Sequence, residues 1–121
     1  MKLKEGMYVR YKKIISYEIK ISKIKEIKIY NDKRTDYKYQ LIYIVQDGEW
    51  VHPNTIIKAS NNIIDLIEVG DYVNGYKVSK IKNEIKGFGV IIFDDDTSIH
   101  EYNIKSIVTK EQFKSNEYVV E

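Results

Sequence analysis

Leu41-Ile42-Tyr43-Ile44-Val45-Gln46-Asp47-Gly48-Glu49-Trp50-Val51-His52 lies without a gap over Gly89-Val90-Ile91-Ile92-Phe93-Asp94-Asp95-Asp96-Thr97-Ser98-Ile99-His100, so the chain reads as one unit written twice. In each copy an apolar run meets an acidic turn, and a shorter run then ends at a histidine. Asp47-Gly48 is a strong tight-turn signal because both residue types tolerate positive φ, and Asp94-Asp95-Asp96 closes the second hairpin at the equivalent place. Upstream, Glu5-Gly6-Met7-Tyr8-Val9 answers Val69-Gly70-Asp71-Tyr72-Val73, and Ile21-Ser22-Lys23-Ile24-Lys25 answers Val78-Ser79-Lys80-Ile81-Lys82, in the same order.

The flanking segments supply the other elements. Gly6 to Arg10 is a short strand after a turn. Tyr17 to Ile29 is a long apolar-polar segment in which Ile15, Tyr17, Ile19 and Ile21 keep one parity, Ile24 breaks it, and Ile27 and Ile29 restore it. A break at matched points in both copies predicts a bulge or a sharp bend; a helix across residues 14–30 is the alternative. Asn31-Asp32-Lys33-Arg34-Thr35-Asp36 reads as a hairpin loop. The strand from Tyr37 to Val45 is apolar on both parities from Leu41, which implies cover on both faces, and Val90 to Phe93 says the same. Gly87-Phe88-Gly89 lacks the later glycine and helix start of a dinucleotide loop, and reads as a turn into the next strand.

After each histidine comes a short polar segment, Pro53-Asn54-Thr55 or Glu101-Tyr102-Asn103, and a final apolar run, Ile56-Ile57 or Ile107-Val108. This order resembles an SH3-like barrel, in which a 3₁₀ turn precedes the last strand. Ser60-Asn61-Asn62 offers caps for a helical turn at Ile63 to Ile67. Thr109-Lys110-Glu111-Gln112 has capping-box spacing for a short helix near Phe113, ahead of Tyr118-Val119-Val120. The expected fold is mainly β: two tandem SH3-like small β-barrel units with short helical turns, residues 1–60 and 61–121. A unit of about 60 residues is marginal alone, so the halves are expected to share a core or an interface.

Isoleucine dominates the apolar set, alanine occurs once at Ala59, and there are eleven tyrosines, a β-favouring composition that AT-rich codon usage also produces. There is no cysteine, which removes disulfides and thiol chemistry. With no apolar leader and no run near the roughly 18 residues of a membrane span, a cytoplasmic protein without a membrane partner is expected. Net charge is +2, but residues 1–60 carry thirteen Lys or Arg against seven Asp or Glu, and residues 61–121 carry seven against eleven. The basic half suits phosphate. With only Arg10 and Arg34 to supply guanidinium forks, sequence-specific DNA reading is not expected.

Catalytic patterns are missing. His52 and His100 are the only histidines and occupy equivalent places, which points to matched local structure, such as a hydrogen bond to a turn, rather than a metal or phosphate site. Asp94, Asp95 and Asp96 lack the ligand spacing of a calcium loop, since Ile99 and Lys105 stand where it needs a glycine and a glutamate. No nucleophile elbow accompanies either histidine. No enzyme activity, metal or cofactor is therefore expected.

The aromatics carry the binding expectation. Tyr8 and Tyr72 match, Tyr11 and Tyr76 lie just beyond them, and Trp50 is close to His52. A groove lined by Arg10, Tyr11, Trp50 and His52, with Tyr76 and His100 as counterparts, would suit a nucleotide or an acidic peptide. Ser98 stands where the first copy has Trp50, so a tryptophan site belongs to the first unit or to an oligomer built from it.

Two segments carry a resemblance. Asn61-Asn62-Ile63-Ile64-Asp65-Leu66-Ile67-Glu68-Val69-Gly70-Asp71-Tyr72-Val73-Asn74-Gly75 and Ile107-Val108-Thr109-Lys110-Glu111-Gln112-Phe113 resemble small uncharacterised proteins of clostridial phages and prophages. The resemblance covers about a third of the chain and brings no catalytic residues. It implies an accessory protein that acts by non-covalent binding, an anti-defence protein that blocks a host immune component or sequesters its nucleotide signal. The alternatives are a nucleic-acid-binding accessory protein and a phage assembly protein; a homo-oligomer fits either.

Overall fold

The structure is a computed structural model and describes residues 2–13, 16, 18–30 and 40–115. It is mainly β. The strands are β1 (Tyr8–Lys12), β2 (Ile19–Tyr30), β3 (Gln40–Val45), β4 (Trp50–Val51), β5 (Ile56–Ser60), β6 (Tyr72–Val73), β7 (Tyr76–Lys82), β8 (Val90–Phe93), β9 (Ser98–His100) and β10 (Ile107–Val108). Turns of 3₁₀ helix cover Pro53–Thr55, Ile63–Leu66 and Glu101–Asn103, and one α-helix, α1, covers Lys110–Ser115.

Two five-stranded antiparallel sheets result, in the orders β4-β3-β2-β1-β5 and β10-β6-β7-β8-β9. Read from the β9 end, the second repeats the connectivity of the first. Neither sheet closes into a barrel through strand pairing among the described residues. The region left open between helix and strand is a strand from Ile19 onward. The expected parity of Ile15 and Tyr17, the loop at 31–36, the strand start at Tyr37 and the segment at Tyr118 to Val120 lie outside the described residues.

The backbone hydrogen bonds between the turn before the first strand and the long strand repeat in both copies, but not at the spacing read from the sequence. Gly6 N–H donates to Ile24 O (2.8 Å) and Ile24 N–H to Met7 O (2.8 Å); Gly70 N–H donates to Val78 O (2.9 Å) and Val78 N–H to Asp71 O (2.8 Å). Ile24, not Ile21, is therefore the partner of Val78. The register shifts just after these residues, between Ile24 and Glu26 and between Val78 and Lys80, so the expected bulge is present at matched points. A bulge adds a residue and bends the strand, which lets β2 pair with β1 near one end and with β3 near the other.

The turns repeat too. Asp47 Oδ1 accepts from Glu49 N–H (3.0 Å) and Asp95 Oδ1 from Thr97 N–H (3.1 Å), with Gly48 and Asp96 at positive φ of 84° and 67°. Gly87, with φ 87°, turns the chain toward β8, and Gly89 leaves space for the Ile64 side chain. Thr109 and Gln112 form the reciprocal capping box of α1: Gln112 N–H donates to Thr109 Oγ1 and Thr109 N–H to Gln112 Oε1, both at 3.1 Å.

Each sheet has its own core. Met7, Val9, Tyr11, Ile24, Tyr43, Val45 and Val51 form one cluster, and Ile64, Ile67, Val73, Val78, Ile91 and Phe93 the other. Ile42 to Val45 are all buried, but Leu41 is exposed and Val90 to Phe93 alternate, with Ile91 and Phe93 buried and Val90 and Ile92 half-buried, so the cover expected on both faces holds in the first copy from Ile42 and not in the second, where β8 has one face on the core.

Arg10 joins the halves. Its side chain is 1% exposed. Nη1 donates to Asp71 Oδ2 (2.7 Å) and Leu66 O (3.0 Å), Nη2 to Asp71 Oδ1 (3.3 Å) and Glu111 Oε2 (3.0 Å), and Nε lies 3.3 Å from Glu68 Oε2. Asp71 also accepts from Glu68 N–H (2.8 Å) and Lys110 N–H (2.9 Å). Thr109 Oγ1 donates to Ile19 O across the same junction. Removing one partner of a buried ion pair strands the other charge and costs roughly 3–5 kcal/mol. Arg10→Met should lower the unfolding free energy measured in urea by about that amount, and Asp71→Asn added to it should recover part of the loss.

Candidate functional site

The end of β1 and the β3–β4 turn enclose a groove of about 210 Å³ lined by Tyr11, Lys12, Lys13, Glu49, Trp50, Val51 and Thr55. Tyr11 and Val51 belong to the first core and form the floor. Trp50 begins β4, immediately after the tight turn, and is 53% exposed. Thr55 Oγ1 donates to His52 O (2.8 Å), tying the 3₁₀ turn back to the end of β4.

A charge network holds one wall. Tyr11 Oη donates to Glu49 Oε2 (3.2 Å), Lys20 Nζ lies 3.5 Å from the same oxygen, and Lys13 Nζ lies 3.8 Å from Glu49 Oε1. Lys20 Nζ also donates to Asp47 Oδ2 (2.9 Å). Burial pushes the Tyr11 phenol up, and the fields of Glu49 and Asp47 push it further the same way. The hydrogen bond to Asp47 raises the Lys20 ammonium against the opposing effect of burial. Burial is the largest single influence on the Asp47 carboxyl and tends to raise it, but the Lys20 hydrogen bond, the Glu49 N–H and the fields of Lys20 and Lys13 together outweigh it and leave Asp47 below its ordinary value.

Of the residues expected from sequence, Tyr11 and Trp50 meet in this groove. Arg10 does not: successive strand side chains point to opposite faces, and with Tyr11 on the first core Arg10 turns into the junction. His52 and His100 each precede a 3₁₀ turn, with matching backbone angles of −79°, 143° and −79°, 150°. His100 Nδ1 accepts from Tyr102 N–H (3.3 Å), the local role expected, whereas the His52 side chain makes no cap hydrogen bond. Neither histidine lines the groove.

Tyr76 is not the counterpart of Tyr11. It opens β7, pairs with Val73, is 56% exposed and leans on Phe93 with ring centroids 5.5 Å apart. The two tyrosines stand at different distances from the matched Tyr8 and Tyr72, three residues and four, and Tyr76 follows the Asn74-Gly75 turn whereas Tyr11 lies within β1. Lys12, Lys13, Glu49, Val51 and Thr55 also line the groove and were not among the residues expected from sequence. The Tyr11-Lys12-Lys13 run was the signal for two of them.

Where β1 of the first copy runs on to Lys12, the second turns tightly at Asn74-Gly75, both at positive φ (51° and 86°). The Asn74 side chain ties this turn to the segment after β9: Nδ2 donates to Asn103 O (2.9 Å), and Oδ1 accepts from Lys105 N–H (2.8 Å) and Ser106 N–H (3.1 Å). Comparison with known proteins gives no match to a family model, a curated protein or a solved structure.

The Tyr11 shift has a consequence for stability. A phenol raised in the folded state stabilises the fold below the unfolded value near pH 10 and loses that contribution as pH rises toward the folded value. The urea midpoint should therefore fall between pH 9 and about pH 11.5, and should fall less steeply in Tyr11→Phe.

Proposed function

We propose that the chain consists of two tandem SH3-like units and acts by binding rather than by chemistry, with the Tyr11–Trp50 groove of the first unit as its binding face. The shared strand order, with a 3₁₀ turn before the last strand in each sheet, supports the tandem SH3-like description. The observation that carries the function is Trp50, half exposed in a groove whose lining also holds the buried Tyr11 and the lysines Lys12 and Lys13.

Size selects the ligand class. A groove of about 210 Å³ is below the roughly 300 Å³ at which small-molecule pockets begin. It matches one or two side chains of an extended protein segment, and the flanking lysines favour an acidic one. This supports a protein partner over an enclosed nucleotide signal. With the phage resemblance, the function becomes that of an anti-defence accessory protein in the host cytoplasm that blocks an immune component by occupying it. Nucleic acid is the competing partner, favoured by the same tryptophan flanked by lysines; a steep fall of affinity with salt would mark it.

Selection of displayed random peptides against the wild-type chain and against Trp50→Ala tests the groove. Acidic peptides should enrich on the wild type alone. Trp50→Ala should weaken a selected peptide at least tenfold, about 1.4 kcal/mol, while shifting stability by no more than about 0.5 kcal/mol, as for an ordinary surface site. Equal enrichment on both would remove the groove from the binding face.

A further inference from the structure

A second cleft, of about 190 Å³, lies where the two halves meet. Tyr8, Ser22, Lys23 and Gln46 come from the first half, and Lys105 and Ser106 from the second. Ile63, at the start of the connecting 3₁₀ turn, and Ile104 add an apolar side.

The backbone of this cleft is fixed before any ligand arrives. Ser22 and Lys23 pair with Val9 and Tyr8 across β1–β2, and Gln46 N–H donates to Lys23 O (3.0 Å). On the other side, Asn74 Oδ1 takes the N–H groups of both Lys105 and Ser106. Lys23 Nζ stands over the Tyr8 ring, 5.7 Å from its centroid, a cation–π contact that keeps the ammonium at the cleft.

The side chains remain available. Lys20 and Lys110 each hold a carboxylate, at 2.9 Å and 2.8 Å. Among the described residues no carboxylate pairs with Lys23 or Lys105, and no hydrogen bond engages the hydroxyls of Ser22 and Ser106 or the side-chain amide of Gln46. Lys23 and Lys105, from opposite halves, both line the cleft together with Ser22, Ser106 and Gln46, and an anion would offset the charge they bring.

We infer that this inter-sheet cleft binds a phosphate group, free or as a small monoester, with Lys23 and Lys105 supplying the charge and Ser22, Ser106 and Gln46 the neutral donors. The volume admits a phosphate with little beyond it. Because the donors come from both halves, the bound anion ties them together. This site is separate from the Tyr11–Trp50 groove and does not depend on its function.

Inorganic phosphate titrated into the full chain at constant ionic strength, against chloride, tests the inference. Backbone amide resonances of Ser22, Lys23, Gln46, Lys105 and Ser106 should shift and saturate, and the melting midpoint should rise. Lys23→Met with Lys105→Met should weaken the saturating response at least tenfold, Lys23→Arg with Lys105→Arg should keep it, and Trp50→Ala should leave it unchanged. Should the double methionine variant fail to fold, each single substitution is read the same way. An equal rise of the midpoint in wild type and methionine variant would be the general exclusion of phosphate from protein surfaces and would overturn the inference, as would shifts that never saturate. Adenosine monophosphate added as a competitor distinguishes the sources: displacement of phosphate at lower concentration marks a monoester site, and its failure to compete marks a site for the free anion.

Discussion

The guanidinium of Arg10 is the interaction on which the arrangement of the two halves rests. A buried arginine is tolerated only when its donors are all engaged, and here Nε, Nη1 and Nη2 all meet acceptors from the second half, at Glu68, Leu66, Asp71 and Glu111. Burial alone would lower its basicity. The hydrogen bond to Asp71 and the fields of Asp71, Glu68 and Glu111 outweigh that and hold it above the ordinary arginine value. The same contact sets the end of α1, because Asp71 accepts from the Lys110 N–H as well as from Arg10. Two cores of this size are each marginal when isolated, so a buried polar junction gives the pair a defined relative position that loose apolar contact would not.

One position in the repeat explains how the copies came to differ. Arg10 and Asn74 both follow the valine that each first strand buries, Val9 and Val73. Asn74 adopts positive φ and closes a tight turn, so its side chain is spent on the neighbouring segment. Arg10 stays extended, and β1 runs on to Lys12. That extension carries Tyr11, Lys12 and Lys13 past the β3–β4 turn and opens the groove beside Trp50. The groove of the first half and the attachment of that half to the second thus arise from adjacent residues pointing in opposite directions.

The same divergence gives each half a distinct part in the inter-sheet cleft. The first half contributes Ser22 and Lys23 from β2 just before its bulge, and the second contributes Lys105 and Ser106, whose N–H groups are held by Asn74.

Local chemistry determined most of the strand plan. The strands at Leu41–Val45 and Val90–Phe93, the Asp47-Gly48 turn, the matched bulge and the capping box at Thr109–Gln112 each depend on residues close in the chain, and each was legible in the sequence. The direction of Arg10 was not. It is set by Asp71, 61 residues away, and no periodicity encodes a partner at that distance. Likewise Tyr11 and Tyr76 look alike as letters, yet the positive φ of Asn74 and Gly75 ends one strand before the tyrosine and lets the other run through it. Sequence by itself determined where the chain extends and turns, because those preferences act within a few residues; the tertiary structure alone decided which side chains are buried as partners and which stay at the surface of a groove, because that depends on what the folded chain brings alongside them.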